Sequence, residues 1–432
     1  MIIYFTIRNY LSIKDEISLS FLSNNKNIKN ELKIIPIENQ RFNLYSFSAI
    51  YGPNASGKTN IIKALSNLIH FILFSHRLDL DELIPSYKPF RLEKENLSQP
   101  IGFEIEFVAE NTRYLYMIEF TQKEIIKEEL YFFPGGHKAN LFKRYKKNKI
   151  KYGGYFTGGK KNLETFLLPN RLLVSVAANS NNDILKPVFR YFRDVINIHV
   201  RMDSSDKHLR STTLELRDRK GEFKELLCKI LRAADLSLED IKLIEDEQVN
   251  DKLKIHEDIP NDLRKRIIED FRFKPYIGHP IYQKGQRTEQ LDYFDLEREE
   301  STGTLKMYDL AGEILNALQK GNVLIIDEFN NDLHPLLNKF LIELFIDPNI
   351  NKKNAQLLIS THDICVLDLS RLKREQIWFT EKTGYGSTEL FSLDEFDKNL
   401  VRDYSKYGKF YLDGRFNAVP APNKNELVEG LF

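Results

Sequence analysis

From the amino terminus onward, apolar positions first recur with the period of a strand. "IIYFTIRNYLSIKDEISLSF" alternates apolar and polar residues around a break between Asn9 and Lys14, predicting a two-stranded hairpin with one packed face. "FSAIY", residues 47–51, predicts a further strand. The period then becomes helical: Ile61, Ile62, Leu65, Leu68, Ile69, Ile72 and Leu73 fall on one face of an amphipathic helix. Alternation returns over residues 101–133 as three strands of an antiparallel meander. Residues 181–285 read mainly helical, with Phe223, Leu226, Leu227, Ile230 and Leu231 on one face and no heptad long enough for a coiled-coil arm. Two buried-strand runs, "NVLIIDEF" and "AQLLISTHD", then flank the helix "LLNKFLIELF". Three segments follow: 1–180, a helical insertion at 181–285, and 286–432.

Composition narrows the class. The 432 residues include 42% hydrophobic and 29% charged residues with a net charge of +1, as in a soluble protein with a substantial core. Nucleic-acid contact would have to be local. Cys228 and Cys365 lie far apart without metal-knuckle spacing, so neither disulfides nor zinc are expected, and a reducing cytoplasm fits. The amino terminus has no leader pattern and "LIHFILF" is too short to span a bilayer, so no membrane association is expected.

Between strand and helix lies "GPNASGKTN", comprising Gly52, Pro53, Asn54, Ala55, Ser56, Gly57, Lys58, Thr59 and Asn60. Glycine, four residues, glycine, lysine and threonine form a phosphate loop: small residues let backbone amides wrap phosphates, and the helix amino terminus adds partial positive charge. Lys58 would meet the β and γ phosphates of ATP, and Thr59 would hold Mg²⁺. "VLIIDEF" supplies the second half of a hydrolytic site. Its apolar residues 323–326 deliver Asp327 and Glu328 to the carboxyl end of a strand, where ligands of open α/β sheets bind. Asp327 would help to hold Mg²⁺, and Glu328 would polarise the attacking water. The alternative is a strand that simply ends in an acidic turn.

This order of motifs resembles the ABC-type ATPases of the RecF, SMC and OLD group. The resemblance implies an α/β P-loop ATPase head with an antiparallel β subdomain. It assigns His362, in "LLISTHD", to the γ phosphate. Ser301 and Gly303, in "ESTGT" before a helix, become a signature segment that completes a neighbour's site in an ATP sandwich; ordinary helix capping is the alternative, and the order of the motifs favours the signature. "FNNDLHP" matches the loop linking the two sites, with Asp332 and His334 as contacts. The lid-loop glutamine of the group has no clear equivalent, and Asn179 in "VAANSNN" is its substitute.

More narrowly, "YGPNASGKTNIIKAL", "PFRLEKENLSQPIGFEIEF" and the tail "YLDGRFNAVP" resemble bacterial defence ATPases such as RloA and the PARIS subunit AriA. That resemblance implies antiphage defence, a homo-oligomer, a phage trigger and a separately encoded effector such as a Toprim-like nuclease. The 70 residues after His362 contain no alternate-position pair of aspartates for an internal nuclease. The reading from another class is a RecF- or SMC-like ATPase that binds DNA in repair or chromosome handling.

Two segments carry open alternatives. Lys143, Arg144, Lys146, Lys147, Lys149, Lys151, Lys160 and Lys161, with interleaved Tyr145, Tyr152 and Tyr155, read as a solvated hairpin or as a face for nucleic acid or an acidic protein. Gly414 and Arg415 read as a packed turn or a partner contact.

Overall fold

The computed structural model describes residues 1–23, 32–37, 42–146, 149–200, 206–219, 221–246, 268, 271–397 and 407–419. The chain divides into two compact units. One comprises residues 1–200, 321–329 and 342–432; the other comprises residues 201–320 and 330–341.

The first unit is built on two large sheets. In one, seven antiparallel strands lie in the order Lys149–Tyr152, Ala139–Tyr145, Ile125–Phe132, Thr112–Phe120, Ile101–Ala109, Ile2–Arg8 and Ile17–Ser20. The predicted hairpin and meander are thus one sheet. The first strand joins them by pairing with both Ile17–Ser20 and Ile101–Ala109. The second sheet orders Ile196–His199, Val323–Ile326, Gln356–Ser360, Phe47–Tyr51, Ile377–Lys382 and Thr388–Ser392. Its first five strands are parallel, and the last turns back antiparallel. Phe47–Tyr51, Val323–Ile326 and Gln356–Ser360 are buried at every position, as strands covered on both faces should be.

The helix Lys58–Phe74 buries Ile61, Ile62, Leu65, Leu68 and Ile72 as its period predicts, and adds Phe71, whose ring lies 4.9 Å from that of Phe120 in the antiparallel sheet. That contact fixes the helix to the meander.

The second unit holds the helices Asp206–Arg219, Glu222–Ala233 and Thr302–Lys320, together with an antiparallel sheet of Asp240–Glu245, Phe273–Gln283 and Gln286–Asp295. A Cβ at Gly312 would collide with Thr212, so glycine lets two of the helices approach closely, and the Thr212 hydroxyl donates to the Asp309 carbonyl at 3.0 Å.

The structure departs here from the helical reading of 181–285. Ile196–His199 is an edge strand of the parallel sheet, and Asp240–Glu245 and Phe273–Gln283 pair in register from Asp240↔Gly278 to Glu245↔Phe273. Pro275 and Pro280 obscured the central strand, because proline argues against such a position; Pro280 adjoins a register shift. Residues 247–267 of that segment lie outside the described residues. Among the described residues, no helix is long and apolar enough to cross a membrane.

Candidate functional site

The buried strand Phe47–Tyr51 runs into the loop Gly52–Gly57 and directly into the helix Lys58–Phe74. Gly52 and Gly57 have φ of +150° and +114°, which side-chain-bearing residues rarely adopt, and a Cβ on either would collide with Thr380 or Thr388 respectively. A network of hydroxyls fixes the loop from outside. Ser56 Oγ and Thr380 Oγ1 are 2.6 Å apart, and Thr380 donates to the Tyr51 carbonyl, so Ser56 is the donor between them. On the other flank Asn60 Nδ2 donates to Ser12 Oγ, Ser12 lies 2.7 Å from Thr388 Oγ1, and Thr388 donates to the Ser56 carbonyl at 2.8 Å. Thr380 and Thr388 carry no motif. Only the fold brings the last two strands beside the loop.

Lys58 Nζ donates to the carbonyls of Gly52 and Pro53 at 2.8 and 3.0 Å. Burial pushes its pKa down to about 8 despite the opposing attraction of Asp327 and Glu328. A desolvated cation hydrogen-bonded to two neutral carbonyls fits an incoming anion. Thr59 follows in the first helical turn and is half-buried.

Asp327 and Glu328 leave the carboxyl end of Val323–Ile326, and one strand, Gln356–Ser360, separates that strand from the phosphate-loop strand. Ser360 binds both acids: its hydroxyl donates to Asp327 Oδ1 and accepts from the Glu328 backbone N–H at 2.8 Å. Glu328 has φ +52°, a left-handed conformation that costs a side-chain-bearing residue about 1–2 kcal/mol. Phe329, fully buried, donates its N–H to the Ser360 carbonyl at 2.9 Å and so helps to impose that geometry. Within "LLISTHD" Ser360 falls in the apolar strand pattern, and nothing local marks its hydroxyl as a partner of the acids.

His362 follows the same strand. Burial lowers its pKa below the usual range and the Lys58 charge lowers it further, against the pull of Glu328 and Asp327. Lys58, Asp327, Glu328 and His362 thus all follow the carboxyl ends of three adjacent parallel strands, Phe47–Tyr51, Val323–Ile326 and Gln356–Ser360. Tyr51 ties the residues after Gln356–Ser360 to the loop strand through its hydroxyl, which donates to the Asp363 carbonyl at 3.1 Å.

In the second unit, Ser301 Oγ accepts from the Thr304 N–H at 3.1 Å and so caps the helix Thr302–Lys320. A Cβ at Gly303 would lie 3.5 Å from the Asp332 carbonyl, which puts Gly303 and Asp332 side by side; Asp332 has φ +63°. His334 Nδ1 accepts from the Leu336 N–H at 3.2 Å.

Other sequence expectations change. Asn179 turns its amide back onto its own helix, donating to the Ser175 carbonyl at 2.9 Å. Arg144 is no part of a basic surface. It is fully buried, paired with the equally buried Glu128 at 3.1 Å, and donates to the carbonyls of Arg171 and Leu168. The period-2 alternation turns it inward, where Glu128 also accepts from the N–H groups of Leu173 and Val174. Lys147 lies outside the described residues. Gly414, with φ +74°, ends the helix Tyr407–Leu412: its N–H donates to Tyr411, and Arg415 donates to Phe410. Arg415 stacks over Phe410 at 4.4 Å, and buried Phe416 stacks on Phe379. Residues 410–416 thus form a packed turn.

No curated protein matches the chain. Among solved structures it is similar to the one described as "Crystal structure of the SmcHead bound to the C-winged helix domain of ScpA", at 13% identity and a TM-score of 0.37, covering 90% of this chain and 97% of that one. A family model described as "AAA domain, putative AbiEii toxin, Type IV TA system" matches residues 47–368, well over half of the sequence and the whole span from the phosphate-loop strand to beyond His362. The chain belongs to that AAA-domain family.

Proposed function

We propose that this protein is a Mg²⁺-dependent ATPase of ABC type that assembles on ATP and gates a separately encoded effector, such as a Toprim-like nuclease, in antiphage defence. The observation that carries the catalytic part is that Lys58, Asp327, Glu328 and His362 follow the carboxyl ends of three adjacent parallel strands, beside a loop whose glycines leave no room for a Cβ against Thr380 and Thr388. Backbone amides and Lys58 bind the phosphates. Thr59 and Asp327 would hold Mg²⁺, which when bound would supply neutralisation of phosphate charge. Ser360 fixes the Asp327 carboxylate. Glu328, fixed through its backbone, orients water and accepts its proton. Burial keeps His362 neutral at pH 7, so it offers a single N–H toward the γ phosphate.

Assembly is supported by the second unit. A capped 19-residue helix with Ser301 and Gly303 at its amino terminus, beside Asp332, offers a second phosphate reader for a neighbouring copy. The effector part is supported by the family description, which names a toxin and a toxin–antitoxin system, and by the sequence resemblance to defence ATPases.

The test is the mass of the Glu328→Gln protein expressed with the product of the neighbouring gene, with and without ATP. A defined multimer carrying the neighbour is expected. A protein that stays alone and shifts onto DNA when ATP is added would instead support the DNA-handling function, with hydrolysis stimulated by DNA and steeply sensitive to salt.

A further inference from the structure

The hairpin that braces the phosphate loop ends in an unexpected residue. Its strands, Ile377–Lys382 and Thr388–Ser392, are joined by a tight turn in which Gly386 donates to the Thr383 carbonyl and Thr383 to the Ser387 carbonyl, both at 2.9 Å. Gly386 takes the left-handed position, with φ +77°. Nothing in this turn calls for an aromatic at Tyr385, yet Tyr385 stands at the tip 88% exposed. Leu92, itself 68% exposed, reaches over the same turn, with Cδ1 2.5 Å from where a Cβ on Gly386 would sit. Two large apolar side chains are therefore presented together at one end of the hairpin.

The other end is fixed to the phosphate loop. Thr388 donates its hydroxyl to Ser56 and its N–H to the Ser12 carbonyl, while Ser12 accepts from Asn60. Asn60 lies two residues beyond Lys58, on the helix side of the loop. Were the β and γ phosphates at Lys58 and the α phosphate at the amides that follow it, the nucleoside would lie on this flank, beside Asn60. Tyr385 is three residues from Thr388 and so at most about 10 Å away, within reach of a nucleoside.

We propose that Tyr385 and Leu92 form the seat for the nucleotide's base, with the Tyr385 ring stacked on its face. This rests on the reading that the loop holds ATP. An aromatic face suits a purine without needing a hydrogen bond from the protein, and stacking of this kind changes affinity by roughly 5- to 100-fold on removal of the ring.

The experiment titrates the full chain with Mg-ATP and, separately, with inorganic tripolyphosphate, which has no base. Tyr385→Ala should weaken ATP binding roughly 5- to 100-fold and leave tripolyphosphate binding unchanged, and Tyr385→Phe should bind both as the parent does. The exposed side chain makes misfolding of either variant no concern. Unchanged ATP affinity in Tyr385→Ala overturns the proposal, and so does an equal loss of both ligands, which would mean that the turn acts on the loop rather than on the base. If the parent protein binds neither ligand, the ATP reading itself falls. Lys58→Ala, expected to lose both, marks that outcome apart from loss of the base seat alone.

Discussion

Lys58 is buried among carbonyls with its pKa lowered to about 8, and this has consequences for both folding and binding. Between about pH 8 and 10.5 the unfolded chain holds a proton that the folded one has released, so Lys58 makes stability rise with pH across that window. Bound phosphates reverse the preference by favouring the charged amine. Binding of ATP at pH 9 should therefore take up a proton that binding at pH 7 does not, and affinity should fall as pH rises through 8. Calorimetry in buffers of different ionisation enthalpy measures the uptake; none at pH 9 would contradict the burial argument. Glu328→Gln keeps the shape and left-handed backbone of its parent but not the base, so turnover should drop at least about 100-fold with ATP still bound. Equal turnover in the two proteins would remove Glu328 from the mechanism.

At the scale of elements, the loop depends on strands far away in sequence. Thr388→Val leaves Ser56 and Ser12 without a shared hydroxyl, and ATP affinity should fall roughly 2- to 10-fold through a looser loop. Titration of Thr388→Ser, which retains the hydroxyl, should show near-parental binding. The pair Arg144–Glu128 holds two strands of the meander sheet to the segment 168–174, and both charges are fully buried. Arg144→Ala should cost about 3–5 kcal/mol by stranding the Glu128 carboxylate. Replacing both by Met and Leu should recover much of that loss in thermal denaturation. A surface role for Arg144 would instead predict almost no change.

For the whole molecule, the proposed sandwich assigns the helix amino terminus at Ser301 to a neighbouring copy. Ser301→Arg should leave binding of one ATP per chain intact and abolish ATP-driven assembly of the Glu328→Gln protein, as read by light scattering. Assembly that survives this change would place the interface elsewhere. Gly303 has ordinary contacts only, so a small side chain there tests the same face without backbone strain.

Local chemistry made much of this legible in advance. The loop 52–60 and the acids 327 and 328 are contiguous segments whose function needs particular residues in a row, and the period of apolar positions marked the strands and helix that carry them. Other features arise only when distant segments meet. Thr380 and Thr388 matter because two carboxyl-terminal strands lie beside the phosphate-loop strand, and Arg144 turns from a surface cation into a buried tie because its strand presents it to Glu128. The sheet hidden in 240–295 had prolines where strand propensity forbids them, and pairing with neighbouring strands outweighed that local preference. Sequence alone determined which residues could grip a phosphate; tertiary structure decided what braces the grip, because the Thr380 and Thr388 hydroxyls lie more than 300 residues away along the chain.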